Sequence, residues 1–283
     1  MENGGGGEHR PWMYDTETTD IFRKFASEHQ KLSPYLHTTG TNAIEQGVSS
    51  IVPVAQLDKD VALANDKFGF DYSGPLPYFE QPTTYSYQLG KDLLVHPVMF
   101  EAENRSSTTS IVHMTFPGDE STTWLDYWHP SVKKLSEVGG TKKSRSVSLD
   151  SMAVYVRRNA FIATEPSVDL RAKFKYAFSW YAPKVTDSAV ADAREKCVGG
   201  LDATCGVRAT GAYPTASAMT IDVTAYSGGM IVDVIDVPKP QSVSFTTSMT
   251  SKTGCLYAYD PLTATLKAQC TDASQGVKVE VNF

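Results

Sequence analysis

Residues 87–98 read YQLGKDLLVHPV, and the texture of the chain changes here. Upstream, residues 15–45 carry a helical pattern. Ile21, Phe22, Phe25 and His29 recur at three-to-four spacing, with Leu32 and Leu36 continuing the face. Asp15 or Thr16 is the N-cap candidate, and Glu17 and Asp20 stand where the helix dipole favours acids. Pro34 should kink or interrupt the helix, and Gly40 and Gly47 are the candidate stops. SIVPV (50–54) is a short apolar run, a strand or a buried extended segment. Residues 58–84, punctuated by Gly69, Gly74, Pro75, Pro77 and Pro82, read as a long irregular connection.

Downstream of Leu89 the chain becomes a series of short strands bounded by turn residues: 93–100, 110–116, 121–127, 144–149 and 153–157. After Thr164-Glu165-Pro166 a second set follows: 171–180, 217–226, 230–237, 242–250 and 277–283, with room for one short helix in 187–197. The expected class is mainly β, as two consecutive antiparallel β-sandwich domains. At 283 residues, 41% hydrophobic and 20% charged, the chain is long enough and apolar enough for more than one packed domain. A net charge of −6 with scattered Lys and Arg leaves no footprint for nucleic acid or an anionic membrane. LLVHPVMF (93–100) is far too short to span a bilayer, so no membrane span is expected.

The cysteines form two local pairs, Cys197 with Cys205 and Cys255 with Cys270. Their intervals are not metal-ligand spacing and the nearest His is at 129, so neither a metal nor another cofactor is expected. Two short-range disulfides, 197–205 and 255–270, would fit a secreted β-domain, and four reduced buried thiols are the alternative. Met1-Glu2-Asn3 has neither the basic nor the apolar region of a signal peptide, so the compartment stays open. The cysteine pattern favours a secretory or endomembrane lumen. Asn104-Arg105-Ser106 is a glycosylation triplet.

Four blocks in order carry a resemblance. GGGEHRPWMYDTETTDIFRKFASEHQKLSPYL (5–36) is similar to the last barrel loop and helix of family 31 glycoside hydrolases, the α-glucosidase and α-xylosidase family. YQLGKDLLVHPV resembles that family's "lGkdlLvaPV" segment, TTWLDYWHP (122–130) its "W-y-D-y-W" strand, and AVYVRRNAFIA (153–163) its "PvfvRrGaiI" segment. The resemblance implies the last loop-helix segment of an incomplete (β/α)8 barrel over 1–58, a proximal β-sandwich over 59–166 and a distal one over 167–283. It implies retaining hydrolysis of α-glycosidic bonds in the intact enzyme, acting on an α-linked oligosaccharide or glycoside. The secretory or endomembrane compartment also agrees with the family.

By the same resemblance, His9 matches a loop His that reaches the sugar, with Arg10 and Trp12 placed near it. Retaining α-glycosidases require two carboxylates roughly 5 Å apart. In the family both are Asp on earlier barrel loops, the nucleophile in a "W-x-D-M-N-E"-type segment, and this sequence has no such segment. No catalytic residue is therefore assigned. The chain is expected to be inactive alone and to need a catalytic barrel, either covalently upstream or as a separate chain. Asp15, Glu17 and Asp20 are more simply helix-capping acids than catalysts. In WLDYW, alternation puts Trp124, Asp126 and Trp128 on one face, which reads as packing with a polar partner. Arg157-Arg158 reads as a strand-end ion pair or solvated edge, and His29 and His37 as structural. The alternative function is a non-catalytic carbohydrate-binding or structural β-sandwich, using Tyr127, Trp128, Trp180 or Tyr181 as sugar platforms or docking on a separate barrel.

Overall fold

A computed structural model describes residues 10–57, 86–98, 109–194, 206–226, 228–246 and 254–283. The described chain opens on a 3-10 turn, Pro11–Met13, and two consecutive helices, α1 (Thr16–Lys31) and α2 (Ser33–Gln46). The Asp15 carboxylate caps α1 by accepting the Thr18 N–H at 2.6 Å. Pro34 falls in the first turn of α2, where its missing N–H is no loss, so it separates two helices. Gly40 lies inside α2, while Gly47 ends it in the left-handed conformation at φ 65°. The chain continues through β1 (Ile51–Pro53) and a short α3 (Val54–Leu57).

The first sandwich is built on β2 (Tyr87–Leu89), β3 (Leu93–His96), β5 (Thr123–Asp126), β6 (Glu137–Val138) and β8 (Ala153–Arg157). With β1 they form one antiparallel sheet in the order β1-β2-β3-β8-β5-β6. LLVH and AVYV are buried continuously because both faces of this sheet are covered. Leu94, Trp124, Ala153 and Tyr155 face the ribbon of β4 (Thr109–Thr115) and β7 (Lys142–Ser148), meeting Met114, Phe116 and Val147. Leu93, Val95, Leu125, Val154 and Val156 face the other way, against Tyr35 of α2 and Tyr181 of the second sandwich.

AVYVRRNAFIA straddles the junction. β8 ends at Arg157, Asn159 turns at φ 65°, and β9 (Phe161–Thr164) hydrogen-bonds into the second sandwich. One sheet there has the order β16-β17-β14-β10-β9, from β10 (Phe174–Tyr181), β14 (Gly229–Ile235), β16 (Cys255–Asp260) and β17 (Thr265–Cys270). The other runs β11-β12-β13-β18-β15, from β11 (Ser188–Arg194), β12 (Gly206–Thr215), β13 (Ala218–Val223), β15 (Ser242–Thr246) and β18 (Val277–Asn282). Pairing is antiparallel except between β10 and β14, which run parallel. The two sheets close on Phe178, Trp180, Met230, Val232, Met219, Ile221 and Val279.

Trp180 is fully buried, donates to Asn159 Oδ1 at 2.8 Å and stacks on Phe161 at 5.6 Å. It lies directly over Gly211, where an added Cβ would come within 2.6 Å of the indole. The helix expected in 187–197 is not formed by the described residues: 188–194 are β11. Ala191 and Ala193 alternate into the core, and the segment pairs along its length with β12. Cys255 and Cys270 stand opposite each other on β16 and β17 and form a disulfide. Cys197 and Cys205 lie outside the described residues.

Candidate functional site

Two site expectations, His9 and the Asn104 triplet, also fall outside the described residues. The neighbouring loop is described from Arg10 onward. Pro11 is buried, and its carbonyl accepts the Tyr14 N–H at 3.2 Å and the Thr19 hydroxyl at 3.2 Å, which ties the loop to the start of α1. Arg10 is exposed, and Trp12, Met13 and Tyr14 are each more than 60% exposed. The loop thus presents a guanidinium and two aromatic rings outward from a turn fixed at its base.

The acids of α1 serve the helix. Hydrogen bonds from Thr18 hold the Asp15 carboxyl below the usual carboxylate range, and Asp20 pairs with Arg23 at 2.5 Å on the surface. Among the described residues, no group of three His, Cys, Asp or Glu side chains is arranged to hold a metal. No described helix is long and apolar enough to cross a membrane.

WLDYW is the fastening between the helices and the sheet. Asp126 is fully buried. One of its oxygens accepts the backbone N–H groups of Trp128 (3.0 Å) and His129 (2.9 Å), and the other binds the Arg145 guanidinium. This tight turn ends β5, so Trp128 leaves the strand alternation. It does not share the face of Trp124, as alternation predicted, but swings toward α1. There it meets Phe25 edge-on at 6.1 Å, lies under Lys24 at 5.4 Å and donates to the Met152 carbonyl at 2.7 Å. Tyr127 donates its hydroxyl to Glu28 of α1, which also pairs with Lys31 at 3.0 Å. Burial, followed by the Tyr181 and Glu28 charges, pushes the Tyr127 phenol well above its usual range, so it remains a donor.

Three of the four aromatics named as sugar platforms are therefore unavailable. Tyr127, Trp180 and Tyr181 are buried, and Trp128 is engaged with α1. Arg158 pairs with Asp187 at 2.5 Å, while the Arg157 guanidinium lies 5.7 Å over the Trp124 ring. His29 and His37 are exposed on their helices.

Two concavities flank the helices. One is an apolar groove of about 310 Å³ lined by Phe25, Pro97, Val98, Val147, Leu149 and Met152. Its Phe25 comes from α1, a helix with no buried residue of its own, on which Phe22 is also half-exposed. The other, polar and between α2 and β11, was not signalled by the sequence. Its buried acid, Asp92, stands just ahead of β3, and its walls come from segments far apart in the chain, residues 35–52, 88–92, 161–163 and 190–192.

Two helices, α1 with no buried residue of its own and α2 packed through Tyr35, are thus fastened onto two successive β-sandwiches. Residues 75–162 match the profile of the glycosyl hydrolase family 31 C-terminal domain, and the chain carries that domain. No curated protein matches the chain in sequence. Among solved structures, a GH31 dextranase from Flavobacterium johnsoniae complexed with isomaltotriose superposes with a TM-score of 0.71 at 16% identity, over 99% of this chain and 34% of its own. The cycloalternan-forming enzyme of Listeria monocytogenes, in complex with a pentasaccharide substrate, gives 0.67 at 16%, over 99% of this chain and 25% of its own. An α-1,4-glucan lyase of Gracilariopsis lemaneiformis gives 0.68 at 16%, over 96% and 28%. The chain thus spans about a third or less of the structures whose fold it shares.

Proposed function

We propose that this chain works as the C-terminal part of a family 31 glycoside hydrolase, divided near 58 and 166 into a barrel remnant and two sandwiches. The parent reaction is retaining hydrolysis of α-glycosidic bonds in an α-linked oligosaccharide or glycoside. His9 contacts the sugar from the last barrel loop, with Arg10 and Trp12 beside it. The two catalytic acids come from a barrel that is covalently continuous or separately encoded, and the chain alone has no turnover.

The observation that carries the reading is the way α1 is held. Its Glu28 and Phe25 are fastened to Tyr127 and Trp128, while Phe22, Trp12, Met13 and Tyr14 stay exposed. A helix with an unburied apolar stripe needs a further partner, and a barrel is the partner that the family resemblance implies. The solved neighbours carry dextranase, cycloalternan-forming and glucan-lyase names, all α-glucan chemistry, which supports an α-glucan-type substrate.

The test is to isolate the native protein from its own cells through an antibody to this chain. It should come with polypeptide bearing both acids and should cleave an aryl α-glucoside or α-xyloside. Recovery of the chain with no such polypeptide, as an inert glucan-binding protein, would favour the non-catalytic alternative.

A further inference from the structure

A strand at the edge of a sheet presents N–H and C=O groups that need a partner or a guard. Most edges of this fold have one. β6 is only two residues long, β1 carries Pro53, and β7 carries Lys142, Lys143 and Arg145. β9 and β11 lie against α2, whose Thr38 hydroxyl accepts the Arg194 N–H at 3.0 Å and donates to the Asp192 carbonyl at 2.9 Å. Farther along β11, the Asn159 amide donates to the Ser188 carbonyl at 3.2 Å.

β16 is different. It closes its sheet at the end opposite β9, away from α2, and among the described residues it pairs with β17 alone. Residues 254–259 read GCLYAY and carry no charge. Leu256, Tyr257 and Ala258 are exposed in succession, the first two at 55% and 43%.

The register decides which backbone groups of β16 face outward. The Thr271 N–H donates to the Gly254 carbonyl at 3.3 Å. Cys255 stands opposite Cys270 with Cα atoms 4.1 Å apart, the spacing of a non-hydrogen-bonded pair. Gly254, Leu256 and Ala258 therefore bond toward β17, and the N–H and C=O groups of Cys255, Tyr257 and Tyr259 point to the open side. Groups repeating at every second residue along an extended chain are matched by another extended strand, not by a helix or a compact ligand.

We propose that β16 pairs antiparallel with β16 of a second copy of this chain, about a two-fold axis at Tyr257. In that register Tyr257 meets its own counterpart and Cys255 meets Tyr259, so each outward N–H finds a carbonyl. Leu256 falls opposite Ala258, a large side chain against a small one. Asp260, the one charge of the strand, falls opposite Gly254, so no like charges meet. This self-complementarity is what selects a second copy as the occupant. The two five-stranded sheets then form one continuous sheet. The proposal is independent of the glycosidase reading.

The test follows the mass of the full chain by light scattering over a concentration series. The mass should rise from 30.9 kDa toward twice that value, with a Kd on the order of 10 μM. Amide exchange at Tyr257 and Tyr259 should be slow in concentrated protein and fast on dilution, a readout that needs no variant. Tyr257→Lys and Tyr257→Glu each place like charges across the axis and should each weaken the dimer at least about tenfold. An equal mixture of the two variants should regain it. Monomer at every concentration would overturn the proposal and leave the edge to a strand of another protein. Exchange at Tyr257 and Tyr259 that ignores concentration would overturn it too, as would a dimer that both substitutions leave intact or a mixture no tighter than either variant.

Discussion

Tyr127 of the first sandwich donates its hydroxyl hydrogen to Glu28 of α1, across a sequence separation of 99 residues. This bond and the Phe25–Trp128 contact fix a helix that has no buried residue of its own. Tyr127→Phe removes the donor and leaves Lys31 as the partner of Glu28. The expected cost is about 1 kcal/mol, with faster amide exchange confined to α1. Unchanged exchange in α1 would show that the helix is held by other contacts.

Asp126 turns the chain out of β5 and neutralises Arg145, whose side chain is about a quarter exposed. Asp126→Ala strands that guanidinium and two backbone N–H groups, at an expected cost of about 3 kcal/mol. Asp126→Asn keeps an acceptor for the two N–H groups and should recover about half of the loss. Urea titrations of both variants read this directly, and equal losses would contradict the division of labour between the two oxygens.

Gly211 lies under the Trp180 ring, so Gly211→Ala forces the indole or β12 to move. The expected cost is about 2 kcal/mol, seen as a lowered melting temperature and a shift in tryptophan fluorescence. Gly40 has open space around it, and Gly40→Ala should instead stabilise α2, by about 0.5–1 kcal/mol.

His96 is fully buried between Phe116 and Tyr155, bonds Ser86 through Nδ1, and leaves Nε2 without a partner among the described residues. Burial pushes its pKa down to about 3. Between the ordinary imidazole value and 3 the unfolded chain binds the extra proton, so stability falls as pH drops through that window. Asp92, raised by burial to about 6, acts with opposite sign. There the folded state holds the extra proton, and stability rises as pH falls from 6 toward the ordinary carboxylate value. Asp233, raised in the same direction, adds to this. The Asp92→Asn variant should therefore show the His96 effect more fully, losing about 2 kcal/mol between pH 7 and 5, while the native chain loses less. A flat profile in the variant would contradict the burial of a neutral imidazole.

The Cys255–Cys270 disulfide closes a loop with a sequence separation of 15. Replacing both by Ala should cost about 3 kcal/mol, measured by denaturation with the first sandwich as an internal reference.

Much of this architecture is legible in the residues. Asp15 caps α1, Pro34 divides the helices, Gly47 stops the second, and the two short-strand series form two sandwiches. Alternation also placed Trp124 opposite Leu125 and Tyr127 correctly. It failed at Trp128, because Asp126 ends the strand with side-chain bonds that period-two reasoning does not contain. It failed again at β11, where the small, weakly β-prone run SAVADAR is a strand only because β12 pairs with it. The polar cavity was not legible for the same reason. Asp92 reads as an ordinary acid ahead of LLV until α2 and β11 are brought over it.

The central claim is that this chain is frame and rim, while the acids that break the glycosidic bond lie elsewhere. The most direct measurement is nitrophenol release by the purified chain from 4-nitrophenyl α-glucoside and α-xyloside, before and after boiling. The account predicts release no faster than the blank in either case. Turnover above the blank that boiling abolishes would contradict it.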